Sequence, residues 1–117
     1  MPAFPFSQAL TANQLGFNPL TAWQLERIPA AWPNGAAVKL ITNATDVNVR
    51  LTIYSGTTTI MERAPVQGGG AVGVIPAELN TAPITWIAQP DDRLKLSYDN
   101  VSAGTPTVNG IIVVEPI

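Results

Sequence analysis

Eight carboxylates, six basic side chains and no histidine or cysteine make up the charged and nucleophilic stock of this chain. Carboxylate chemistry on a sugar needs two acids facing each other across the substrate, and a Ca²⁺ site needs several oxygens converging. Here the acids are the pair Asp91-Asp92 and the scattered Glu26, Asp46, Glu62, Glu78, Asp99 and Glu115, with no spacing that builds either arrangement. Asp91-Asp92 follows Pro90 and precedes an apolar alternation from Leu94, which reads as a turn. Without histidine or cysteine, Ser-His-Asp and Cys-His arrangements, thiolate metal sites and disulfides are excluded. Lys39 and Lys95 lie in alternating stretches and are expected to point to solvent, whereas a catalytic lysine needs burial to lower its pKa. The expectation is a non-enzymatic protein with no cofactor and no metal.

Gly68, Gly70 and Gly73 satisfy the spacing G-x-G-x-x-G. That spacing binds a dinucleotide only as a turn from a strand into a helix whose N–H groups meet the pyrophosphate. Pro65 and Pro76 crowd the segment on both sides and leave no room for that helix, so a loop is expected. The basic residues Arg27, Lys39, Arg50, Arg63, Arg93 and Lys95 are spread singly in a chain of net charge −2. A surface that tracks phosphates needs them clustered, so no nucleic-acid partner is expected. No apolar run approaches the roughly 20 residues that cross a bilayer, and no basic segment precedes the apolar start. A soluble product made in the cytoplasm, with no membrane partner, is the expectation. The sequons at Asn43 and Asn100 are then chance matches.

The elements that must hold these residues are strands. From Ala36 onward the period is two. Val38, Leu40 and Ile41 mark one strand, and Val47, Val49, Leu51 and Ile53 alternate with polar residues in the next. Ser55-Gly56 reads as a hairpin turn into Thr57–Arg63. Ile84–Ala88, Leu94–Tyr98 and Val108–Val114 supply three more. Ahead of them, Ser7–Leu15 has room for a turn or two of helix, and Trp23 to Leu25 reads as a short strand ended by Pro29. Pro76 to Asn80 suggests one helical turn. About seven or eight strands at this spacing predict an all-β, antiparallel β-sandwich, jelly-roll-like, in a chain of 117 residues. Residues 1–35 read as an extended apolar N-terminal arm with a first strand, packing on its own domain or on a neighbouring subunit. Residues 36–117 read as the sandwich.

Charged residues make up 12% of the chain, about half the usual share. A surface poor in charge is often one that meets protein, since interface cores are depleted of charge. Met1 to Leu25 carry no charge at all, and five of the eight aromatic residues fall within the first 32 positions. These five, Phe4, Phe6, Phe17, Trp23 and Trp32, are the candidate partner-binding residues, because aromatics bury much area with little loss of entropy. Pro5 would stiffen Phe4-Pro5-Phe6 and lower the ordering cost of docking. Trp23 and Trp32 read equally well as plugs of the sandwich. Trp86, near Gln89 and Asp91, would suit sugar stacking, yet it shares a strand face with Ile84 and Ala88, which favours a place in the core.

Tyr54-Ser55-Gly56 followed by Thr57–Arg63 and by Ala64-Pro65-Val66-Gln67-Gly68-Gly69-Gly70 resembles small β-rich virion proteins of tailed bacteriophages. Pro90-Asp91-Asp92-Arg93-Leu94 and Thr107-Val108-Asn109-Gly110-Ile111-Ile112 are similar to the last strands of such proteins. The resemblance runs from about Leu40 to the C-terminus. It implies a capsid cement or decoration protein on the virion surface, binding the major capsid protein and itself forming a homo-oligomer, with a trimer favoured. The alternative expectation is a carbohydrate- or receptor-binding β-sandwich module of a tail or head fibre.

Overall fold

In a computed structural model the described residues are 3–21, 23–76, 81 and 83–117. They form seven strands: β1 (Ala3–Ala9), β2 (Ala36–Ala44), β3 (Val49–Ser55), β4 (Thr58–Pro65), β5 (Ile84–Ala88), β6 (Leu94–Asn100) and β7 (Thr107–Pro116). Two antiparallel sheets pack face to face as a β-sandwich. Sheet A has the order β1-β7-β2-β5 and sheet B the order β4-β3-β6. No described residue is helical.

The alternation in the sequence sets the inner faces. Val38, Leu40, Ile112, Val114, Trp86 and Phe6 from sheet A meet Val49, Leu51, Ile53, Leu94, Leu96 and Tyr98 from sheet B in one core. Burial of each such side chain is worth about 1.5–3 kcal/mol. Val47, grouped with this alternation in the sequence, is exposed and lies ahead of β3. The Asp46 carboxylate accepts bonds from the Asn48 backbone and side chain, and that local turn delays the strand.

The segment expected to hold helix at Ser7–Leu15 is β1 and the bend after it. Phe4 and Phe6 alternate inward while β1 pairs with β7 from Ala3↔Val113 to Ala9↔Thr107. Pairing to an apolar central strand outweighs a weak local helical tendency. Trp23 to Leu25 is not a strand. The Trp23 N–H donates to Leu20 and the Glu26 N–H to Trp23, so two turns replace it. The expected helical turn at Pro76 to Asn80 lies outside the described residues beyond Pro76.

Residues 10–28 close one flank of the sandwich. The Leu10 N–H donates to Pro106, the Asn100 N–H to Gln14, and Phe17 and Tyr98 exchange both backbone bonds. Farther along, the Leu94 N–H donates to Glu26 and the Ile28 N–H to Asp92. Leu10, Leu20 and Ile28 point into the core. The chain thus leaves sheet A as β1, runs beside β6 of sheet B, and returns to sheet A at β2. Gly35 makes that return possible. Its φ is +76°, and a Cβ there would stand 2.0 Å from the Ala88 carbonyl oxygen.

Candidate functional site

The two outer faces of the sandwich differ in chemistry. On sheet B the outward positions are Arg50, Thr52, Tyr54, Lys95, Ser97 and Asp99. Lys95 stands over the Tyr54 ring at 5.6 Å, and Arg63 bonds the buried Asp99 carboxylate at 2.8 Å. The second oxygen of Asp99 accepts the Gly16 N–H at 2.9 Å, which ties the flanking segment to sheet B. This face is polar and internally paired, with Thr52 and Asp99 buried within it.

Sheet A is different. Its outward positions are Ala3 and Pro5 on β1, Ile111, Val113 and Glu115 on β7, Ala37 and Lys39 on β2, and Thr85 and Ile87 on β5, while Ile41 on β2 points the same way but is buried. Ile87 keeps 55% of its surface exposed. A concavity of about 480 Å³ lies on this face, bounded by Ala37, Lys39, Thr85, Ile87, Val113 and Glu115. Among the described residues that line it, Lys39 and Glu115 carry the charge, and the polar side chains are Lys39, Thr85 and Glu115. The arrangement is suited to covering by another apolar surface.

The polar end of the same face is fully engaged. The Asn109 amide donates to Asn43 and to the Ala71 carbonyl, and its oxygen accepts from Ser7. These bonds, with the Gly70 N–H donating to Ala44, lay the glycine-rich loop against the end of β2. The G-x-G-x-x-G segment is therefore a connection packed at Gly68 and Gly70 and exposed from Ala71 to Gly73, and no described residue after it is helical. Asp92 is likewise used by its own turn: it accepts from the Ser55 hydroxyl at 3.1 Å and from the Gln89 N–H at 2.9 Å. Among the described residues no three acidic side chains come together in a way that would hold a metal ion.

The five aromatic residues of the N-terminal segment find neighbours within the chain. Trp23 stacks on Phe4 with centroids 5.2 Å apart, and Phe4 lies 6.4 Å from Phe6. Phe6 meets Tyr98 edge-on at 6.0 Å, and Phe17 packs on the other side of Tyr98 at 6.4 Å. Phe6 is buried, whereas Phe4, Phe17, Trp23 and Trp32 are half-buried against the core. What these five leave for a partner is the outer part of the last four. Trp86 is 8% exposed on the inner face of sheet A, so its ring is not offered to a sugar. Of the sheet A face only Lys39 was weighed as a candidate from the sequence. The signal for the rest is that Ala37, Ile41, Ile87, Ile111 and Val113 stand at outward positions where polar residues are expected.

Tyr98 sits at the centre of this aromatic file. Burial raises its hydroxyl well above the ordinary value of 10.0. The Thr42 hydroxyl donates to the Asn109 carbonyl at 2.9 Å, so the Tyr98 hydroxyl donates to Thr42 at 2.7 Å. With the folded pKa above the unfolded one, the stabilisation is whole below about pH 10. It is then lost as pH rises toward the folded value, at about 1.4 kcal/mol per pH unit. Urea titrations across that range are expected to show this slope in the native protein and its absence in Tyr98→Phe. Equal slopes would place the alkaline loss elsewhere.

No protein-family model matches the chain, and no curated protein matches its sequence.

Proposed function

We propose that this protein is a non-enzymatic structural component of a tailed-phage particle, a capsid cement or decoration protein that binds neighbouring major capsid subunits. The observation that carries the reading is the outer face of sheet A, apolar and open where the opposite face is polar and paired. Covering that face would remove apolar surface from water, which is the main source of association energy. Repeated copies on a shell would multiply a modest contact by symmetry.

The strand order supports the jelly-roll part of the reading. In an eight-stranded jelly roll the first, last, third and sixth strands form one sheet, and the second, seventh, fourth and fifth form the other. The order β1-β7-β2-β5 against β6-β3-β4 matches that arrangement with the second strand replaced by residues 10–28 beside β6. Viral capsid proteins and lectins both use jelly rolls. A carbohydrate-binding module has less behind it here, because Trp86 lies inside and the open face lacks the polar groups that read a sugar.

The test is co-sedimentation of the protein with assembled particles. Val113→Glu places a carboxylate in the middle of the sheet A face. It is expected to weaken binding more than tenfold while stability falls by about 1 kcal/mol. Undiminished binding of this variant would remove the face from the proposal. Failure of the native protein to sediment with particles would remove the virion role.

A further inference from the structure

The four edges of the two sheets are not equally guarded. Exposed edge strands invite pairing with other chains, and proteins blunt them with proline, charge, bulges or a covering segment. β1 carries Pro5, which has no N–H to offer. β4 is broken by register shifts against β3 and carries Glu62 and Arg63, with Arg63 at a φ of +45°. β6 is covered by the segment that runs past it from Gln14 to Ile28. Among the described residues β5 has none of these devices. Ile84–Ala88 contains no charge and no proline and pairs with β2 in unbroken register. Among the described residues nothing pairs with its other side.

We propose that β5 is an interchain edge, at which two copies of this chain pair antiparallel about a two-fold axis through Trp86. The occupant is a second copy because the strand is complementary to itself. Centring the axis on Trp86 sets Thr85 against the partner's Ile87 on the outer face and Ile84 against the partner's Ala88 on the inner face. β-branched residues opposite one another stabilise such pairs, and no like charges meet. Glu115, Ala37 and Ile87 lie in line across sheet A, and so do Val113, Lys39 and Thr85, so neither charged side chain stands at the new seam. The two four-stranded sheets become one, and their apolar outer faces run on as a single surface. The pairing stands on the edge itself and does not require the virion reading.

Sedimentation velocity of the full chain over a range of concentrations tests it. The native protein is expected to be a dimer. Thr85→Lys/Ile87→Lys sets lysine against lysine in the pair and is expected to raise the dissociation constant roughly tenfold or more. Thr85→Glu/Ile87→Glu is expected to do the same, and an equimolar mixture of the two variants to recover a mixed dimer. Both positions are exposed, and thermal melts identify any variant that fails to fold. For such a case the single change Thr85→Lys repeats the test with a smaller perturbation. A native monomer, a trimer, or a dimer indifferent to these charges would overturn the proposal. Val113→Glu, which tests particle binding, leaves the β5 pairing intact, so failure of one reading is distinct from failure of the other.

Discussion

Deleting residues 1–17 is expected to abolish the cooperative fold. The deletion removes β1, and with it the seven-residue ladder that covers the outer edge of β7. It also takes away Phe6 and Leu10, which are 8% and 1% exposed. Two buried side chains of this size account for about 3–6 kcal/mol, against a total stability of about 5–15 kcal/mol for a domain. Further losses add to this. Phe17 leaves one side of Tyr98, and the Asp99 carboxylate loses the Gly16 N–H. Circular dichroism with urea titration checks the result. A truncated protein that unfolds cooperatively at the native midpoint would show that the segment is dispensable to the sandwich and free to reach a neighbour.

Tyr98→Ala is expected to cost about 3–5 kcal/mol, the range for emptying a large aromatic site in a core. Tyr98 is fully buried and touches Phe6 from sheet A and Phe17 from the flanking segment, so its ring joins three parts of the molecule. Removing it leaves Phe6 without its edge-on partner and Thr42 without a donor. Tyr98→Phe keeps the ring and loses only the hydroxyl bond, worth about 1 kcal/mol. The gap between the two variants in urea titration measures the packing. A loss below about 1 kcal/mol for the alanine variant would mean that the neighbouring rings close the space.

The strands after Ala36 were legible because alternation is a local signal. Each of Val49, Leu51 and Ile53 faces the core because a strand reverses side at every residue. The first 35 residues were harder to read. Their apolar character pointed to packing, but β1 exists through its ladder to β7, a partner about a hundred positions away in sequence. No local window contains that information. The same holds for Trp23 to Leu25, where neighbouring β-formers end up in turns because the backbone there follows β6. Gly110 shows the reverse dependence. A Cβ at this position would stand 2.4 Å from the Phe6 ring, so a glycine inside β7 makes room for a side chain of β1.

By itself the sequence determined the chemical class of the surface and the all-β character. A chain without histidine or cysteine, with dispersed charge and period-two apolar stretches, can form a sandwich and lacks the usual nucleophilic machinery. Which face of that sandwich stays open was decided only by the tertiary structure. Ala37, Val113 and Ile87 become one apolar surface because β2 lies between β7 and β5 in sheet A. Strand order is fixed by long-range pairing and by the inner faces that must meet, and neither is written in any single stretch of residues.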